Sequence, residues 1–347
     1  MHHLLLSNQA NTEITAPKTS FQYGTIFTNV DCAANDVFEI GDVQALLSTK
    51  LFRVTNISRE EIGNGQVRNE ANLFCNQTNI KVDWIDNIFC RKIQIGQIVA
   101  PRLSSEPTST SGCTRIRRLV VYERPMESVN LFDLIPFAWV KDRSLVKRGA
   151  ALMNELSDVH RLLFNAIFWD HNRFERFCKQ PSSMTGHHSE ISGNLRHTVE
   201  VVEEMRTHCL TRIFINRNLS LLAAFLHDAG KAEEYTKNSK GGWELSDRGR
   251  LLGHKVTVLE WIAAAVDKHN IKLPQDHYIG LLHIFTAIPN APDWMGLREP
   301  AMHESFLLSI CDRLSGRDDL VKQTSLCEGG FGRSHRHLKA PIFSLKE

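Results

Sequence analysis

The sequence predicts an α+β chain of two domains, a small antiparallel β-barrel followed by an all-α domain, and three observations predict it. Five runs of β-type residues separated by turns fall between residues 51 and 122. Beyond Pro125 the apolar residues take up helical spacing and keep it. The length, 347 residues, is that of roughly two ordinary domains, each able to bury its own core. The expected division is a partly ordered N-terminal extension over 1–45, the barrel over 46–130, the helical domain over 131–325, and a basic, glycine-containing tail over 326–347.

Composition narrows the function classes. Hydrophobic residues make up 42% and charged residues 23%, as in globular proteins, and a formal net charge of +2 leaves the partner open. No run approaches the ~18 apolar residues of a membrane span, and the opening Met1-His2-His3-Leu4-Leu5-Leu6 lacks the features of a secretory signal. The chain is therefore expected in the cytoplasm, with no membrane partner. The 8 cysteines contain no C-x-x-C pair, which argues against a zinc ribbon and for free thiols, Cys311 among them as a core residue.

The expected strands cover residues 51–57, 67–75, 79–85, 93–103 and 115–122, with Gly63-Asn64-Gly65 as the first turn and 104–112 as a long Ser/Thr/Pro loop. Five strands in so short a stretch suggest an OB-fold, a common platform for single-stranded nucleic acid. Arg53, Arg68, Lys81, Arg115, Arg117 and Arg118 would supply charge, and Phe52, Phe74 and Trp84 stacking rings. A second reading stands beside it, in which the aromatics are core and the charges a solvated face.

In the helical part, residues 142–165 read as one or two amphipathic helices, and 179–192 as a loop holding Pro181 and His187-His188. A helix over 193–208 carries His197 on the same face as Val201 and Met205. The next, over 219–230 with Ser220 as cap, ends in His227-Asp228. After a hairpin-like insert over 234–250, three more helices carry His254, His283 and Asp312. The tail reads as extended.

An imidazole and a carboxylate at the end of an apolar helix cost desolvation unless something satisfies both, and a divalent metal does so. Each histidine has a bland explanation as a core residue that found a partner, but a single site explains the pattern together. His197, His227, Asp228 and Asp312 supply two nitrogens and two oxygens, a donor set suited to Mn²⁺ first, with Fe²⁺, Co²⁺, Ni²⁺ or Mg²⁺ as alternatives. Water activated at such an ion attacks phosphorus.

At these residues the chain resembles the HD-domain phosphohydrolases, and within them the YhaM-type 3′-to-5′ exoribonucleases, which join an OB-fold to an HD domain. Four blocks carry the resemblance: Pro181 through His187-His188 and Gly193 to His197-Thr198; Leu226-His227-Asp228-Ala229-Gly230-Lys231; Ser246-Asp247-Arg248-Gly249-Arg250-Leu251-Leu252-Gly253-His254; and Glu304 through Asp312 to Arg317. Lys81-Val82-Asp83-Trp84 is similar to a family strand that ends in tryptophan.

The resemblance implies metal ligation by His197, His227, Asp228 and Asp312, with His254 and His283 toward a second ion. It implies Asp228 and Lys231 as catalytic side chains, and substrate contacts from Lys231, Arg250, His187, His188 and Trp84. The expected activity is 3′-to-5′ exonucleolytic cleavage of single-stranded RNA or DNA, with a homo-oligomer left open. The chain departs from the pattern at three places: Ile284-Phe285-Thr286-Ala287 follows His283 where a double histidine is usual, Ser315 stands for an aspartate, and Gly193-Asn194 for a double glycine. One ion rather than two would follow from the first. Hydrolysis of a small nucleotide, or a non-catalytic nucleic-acid-binding role in DNA transfer or defence, are the competing readings.

Overall fold

The computed structural model describes residues 40–89, 91–104, 109–110, 112–326 and 328–346. The extension expected over 1–45 lies outside them up to residue 39. From there Ile40–Thr49 forms helix α1, which packs on the sheet and buries Val43 and Leu47, so a packed helix lies ahead of the expected boundary at 46.

All five expected strands form, the fourth only from Ile98: β1 (Phe52–Gly63), β2 (Gln66–Cys75), β3 (Thr78–Asp86), β4 (Ile98–Leu103) and, after the two-residue β5 (Ser109–Thr110), β6 (Cys113–Val121). β1 to β3 make an antiparallel meander, β4 lies antiparallel to β1 and β6 antiparallel to β4. β6 also pairs in parallel with β3 at Val82 and Thr114, so the order of pairings returns to its start. The first turn falls at Gly63-Asn64-Gly65, all with positive φ, and the second at Asn76-Gln77, both left-handed as a tight hairpin requires. β1 runs past its expected end because Ser58–Glu61, alternating and solvated, still pair with Arg68–Glu70 and Val67 of β2.

The helical part begins with a 3-10 turn, Leu131–Leu134, and continues with α2 (Arg143–Asn154), α3 (Asp158–Phe168), α4 (His171–Lys179), α5 (Gly193–Thr211), α6 (Arg217–Leu226) and α7 (Lys231–Glu234). A hairpin of β7 (Tyr235–Lys237) and β8 (Trp243–Leu245) precedes α8 (Asp247–Leu251), α9 (Gly253–His269), α10 (Gln275–Thr286) and α11 (His303–Thr324). Capping side chains set several starts: Asp142 accepts from Leu145 N, Asp170 from Asn172 N, Asn216 from Leu219 N and Ser246 from Gly249 N. Ser220, expected as the cap of α6, is instead fully buried inside that helix.

Sheet and helices share one buried cluster rather than two separate cores. Arg53 of β1 is the polar bolt between them. Its Nε donates to Leu134 O at 2.8 Å, its Nη1 to Gly96 O at 2.7 Å, and its guanidinium lies 4.6 Å from the Trp139 ring centre. At 1% exposure it is no nucleic-acid contact. Phe52, Phe74 and Trp84 likewise face inward, at 0%, 0% and 2% exposure, so none offers an open ring to a base. The Trp84 indole N–H donates to Asp86 Oδ2 at 2.8 Å. Inward-facing strand positions demand large apolar side chains, and these rings fill them.

The tail also departs from expectation. Gly330–Phe331 (β9) pairs with Phe343–Ser344 (β10), and Arg333 N donates to Thr324 O at 2.8 Å, folding the segment back against the end of α11.

Candidate metal centre

His197 sits one turn into α5, on the buried face. The entry to that helix is tight. A Cβ on Gly193 would stand 2.0 Å from His188 O, and His188 and Ser192 both hold positive φ. Helix α6 stops at Leu226, so His227 and Asp228 fall in the turn beyond it, where their side chains leave the apolar stripe and meet α5. Gly230 lets α9 come close, since a Cβ there would stand 2.1 Å from His254 O. α11 brings Asp312 from the other side.

His197, His227 and Asp228 converge, their donor atoms all within 4.8 Å of one another. His197 Nε2 lies 3.2 Å from His227 Nε2, 3.4 Å from Asp228 Oδ2 and 3.0 Å from Asp312 Oδ1. His227 Nε2 lies 3.5 Å from Asp228 Oδ2 and 4.0 Å from Asp312 Oδ1. Neighbouring donors around an ion with bonds of about 2.1 Å lie roughly 3 Å apart, which these spacings approach.

Each imidazole is held from behind. His227 Nδ1 donates to Ala224 O at 2.7 Å, His197 Nδ1 faces Ser315 Oγ at 3.0 Å, and His254 Nδ1 faces Glu234 Oε2 at 2.7 Å. Ser315 Oγ in turn donates to Glu200 Oε2 at 2.7 Å, so it accepts from His197. With Nδ1 protonated in each ring, the neutral imidazoles turn bare Nε2 lone pairs toward the carboxylates. Two such lone pairs at 3.2 Å repel unless a cation lies between them. The donor set therefore fits a divalent ion.

Burial holds the His227 imidazole below its ordinary pKa, against the pull of Asp228 and Asp312. Burial would raise Asp228, but the Lys231 ammonium 2.7 Å away outweighs it, and the carboxyl lies well below the usual range. Asp312 is also lowered, its burial outweighed by the neighbouring His197, 3.0 Å from Oδ1. For Glu200, hydrogen bonds from His188 and Ser315 overcome burial and bring it to about 2. Both ligand carboxylates are thus ready as anions.

The remaining expected residues divide. His254 Nε2 faces the other oxygen of Asp228, Oδ1, at 3.4 Å. Lys231 Nζ donates to Asp228 Oδ2 at 2.7 Å and Ser182 Oγ at 3.1 Å. His187 lines a cavity next to Asp312, its ring centre 5.1 Å from that of His197, and burial lowers its pKa to about 4. Three others stand elsewhere. His283 is outside the convergent group, and its Nε2 accepts from Ala301 N at 2.9 Å. His188, 1% exposed, lies behind His197 with its Nε2 3.2 Å from Glu200 Oε2, so it braces rather than meets substrate. Arg250 is exposed and its Nε donates to Leu245 O at 3.3 Å, bracing the hairpin.

Residues 194–317 match the family model described as "HD domain". The chain carries an HD domain. The HD domain spans every convergent ligand, from His197 to Asp312. Curated relatives carry the name 3′-5′ exoribonuclease YhaM. That of Geobacillus sp. (strain WCH70) is 24% identical over 177 residues, 49% of this chain and 53% of the relative. That of Bacillus licheniformis is 23% identical over 176 residues, 49% and 55%. That of Listeria welshimeri is 24% identical over 227 residues, 63% and 71%. The first two matches span about half the length of those relatives. No solved structure matches. Among the described residues no helix is long and apolar enough to cross a membrane.

Sequence reasoning missed Glu200, Glu234 and Ser182, the groups that orient His197 through Ser315, His254 and Lys231. Glu200 lies three residues after His197, a spacing that places both on one side of the helix, whereas Glu234 and Ser182 stand 20 and 49 residues from the partners they hold. For Glu200 that spacing was the available signal.

Proposed function

We propose that this chain is a metal-dependent phosphodiesterase that acts as a 3′-to-5′ exonuclease on single-stranded RNA or DNA. The observation that carries the proposal is the set of inward Nε2 lone pairs of His197 and His227 facing Asp228 and Asp312, with the Nδ1 of each ring already engaged. The names of the YhaM relatives support the substrate class. The parallel pairing of β3 with β6 supports an OB-like barrel over 46–130 as the strand-feeding unit, ahead of the helical domain over 131–325.

His197, His227, Asp228 and Asp312 would hold the ion, Mn²⁺ by preference for mixed nitrogen and oxygen donors. When bound, that ion neutralises phosphoryl charge and acidifies water. Asp228 serves two sides, Oδ2 toward His197 and His227 and Oδ1 toward His254. With His283 tied to Ala301, the second side has His254 alone, which favours a single ion. Lys231 holds the Asp228 carboxylate in place and leaves an ammonium beside the reacting phosphate.

Purified protein is analysed for bound metal and incubated with Mn²⁺ and end-labelled single strands. The expected result is stepwise shortening, lost in His227→Ala and Asp228→Ala. Absence of shortening, or shortening that survives both substitutions, rejects the reading.

A further inference from the structure

The metal cluster is closed on most sides. His197, His227 and Asp228 are buried, whereas the Asp312 side chain keeps 45% of its surface open. On that open side lies a cavity of about 390 Å³, whose walls include Ser183, His187, Asp312, Arg313, Arg317 and His337. His337 belongs to the C-terminal segment, outside the residues matched by the HD model.

The segment is fastened where it needs to be to reach the cavity. Its base is held by Arg333 N on Thr324 O at 2.8 Å and by Gly332 N on Ile342 O at 2.7 Å. Phe331 and Phe343 meet edge to face at 4.9 Å. The His337 ring crosses to the loop before α5, so close that a Cβ on Gly186 would meet it at 3.5 Å. Its Nε2 accepts from Arg336 Nε at 3.1 Å.

The charge of this cavity is lopsided. Arg313 and Arg317 stand one turn apart on α11, with Arg336 behind His337, against the single carboxylate of Asp312. Arg313 is braced by its Nε on Ser309 O at 3.0 Å, which fixes its guanidinium on the wall. Guanidinium groups in such number suit phosphate oxygens, and the volume lies at the small end of ligand pockets, of the order of 300–1,000 Å³.

We propose that the C-terminal segment, through His337, completes a one-nucleotide subsite in which Arg313 and Arg317 hold the phosphodiester next to the one being cleaved. The subsite rests on the nuclease reading above and adds to it a substrate-positioning role for Arg313 and Arg317 and, beyond the HD match, for His337. A strand enters past Asp312, and the wall formed by the tail confines it to a single nucleotide at a time.

The test uses the full chain with Mn²⁺ and a short 5′-labelled single strand, and follows kcat and KM across a salt series. For Arg317→Gln and His337→Ala the expected result is a KM raised roughly tenfold, with kcat nearly kept. In Arg317→Gln the dependence of log(kcat/KM) on log[salt] flattens by about one phosphate contact. Arg317→Lys, which keeps the charge on an exposed helix position, restores the slope. If the wild-type chain shortens the strand and both variants match it in KM and salt slope, the subsite is wrong and the nuclease reading stands. If the wild-type chain shortens no strand, both fall.

Discussion

Ser315 Oγ stands 3.0 Å from His197 Nδ1 and passes its own proton to Glu200 at 2.7 Å, so one hydroxyl ties a metal-facing imidazole to a buried carboxylate. Here the serine does the orienting and Glu200 supplies the charge from one layer further back, with His188 Nε2 3.2 Å from the same Glu200 oxygen. The negative charge thus reaches His197 through the serine rather than directly.

Ser315→Ala is expected to lower Mn²⁺ affinity about 10- to 100-fold, the usual effect of losing a group that orients a ligand. His197 loses its acceptor and Glu200 one of its two donors, but the fold keeps its apolar core. Calorimetric titration with Mn²⁺ measures the change, with circular dichroism as the control for folding. Unchanged affinity would mean that Ser315 does not set the His197 tautomer.

Metal binding should also stabilise the fold, because the site joins α5, the turn after α6, and α11. An ion that binds only the folded chain adds about 2.7 kcal/mol at a concentration of 100 times Kd. A thermal melt with Mn²⁺ should shift upward, and the shift should vanish in Asp228→Ala. An equal shift in that variant places the binding elsewhere.

The candidate site was legible where chemistry and helix spacing coincide. His197 showed itself by sharing a face with Val201 and Met205, and His227-Asp228 by ending an apolar run. Tertiary routing was not legible. Nothing in the run after His283 tells that its Nε2 meets Ala301 N rather than the cluster. Trp84, Phe52 and Phe74 would read alike in a strand facing solvent or core, and only tertiary packing, for Phe74 the Phe137 ring at 5.5 Å, decides that they are buried. The tail, too polar to suggest packing, folds back through backbone hydrogen bonds that any sequence can make.

A second histidine pair, His160 buried and His277 half-buried, should make stability sensitive to acid. Asn216 Nδ2 donates to His277 Nε2 at 2.8 Å, His277 Nδ1 meets His160 Nε2 at 2.9 Å, and His160 Nδ1 meets Ser157 Oγ at 2.7 Å. The relay needs the His160 ring neutral, so that Nε2 accepts while Nδ1 donates. Burial, with His277 beside it, lowers His160 from 6.5 to about 4. The unfolded chain takes up the proton first, so stability is complete above about pH 6.5 and falls as pH drops toward 4. The loss is on the order of 2–3 kcal/mol, read by urea unfolding of the metal-free chain across that range. His160→Gln should flatten the profile in that window.

Arg53 gives the sharpest test of how sheet and helices hold together. Its guanidinium is fully desolvated, and burial lowers its pKa to about 10, yet it bridges Leu134 O and Gly96 O and stacks on Trp139. Arg53→Ala removes two hydrogen bonds to carbonyls and opens a cavity at the junction, for an expected loss of about 3–5 kcal/mol. Arg53→Lys keeps a charge but cannot span both carbonyls and the indole, so it should recover only part of that loss. Chemical denaturation measures both. If the bolt couples the two parts, the single unfolding transition of the wild type should separate into two in Arg53→Ala. A wild-type-like single transition with a change under about 1 kcal/mol would show that the shared apolar cluster holds the junction without it.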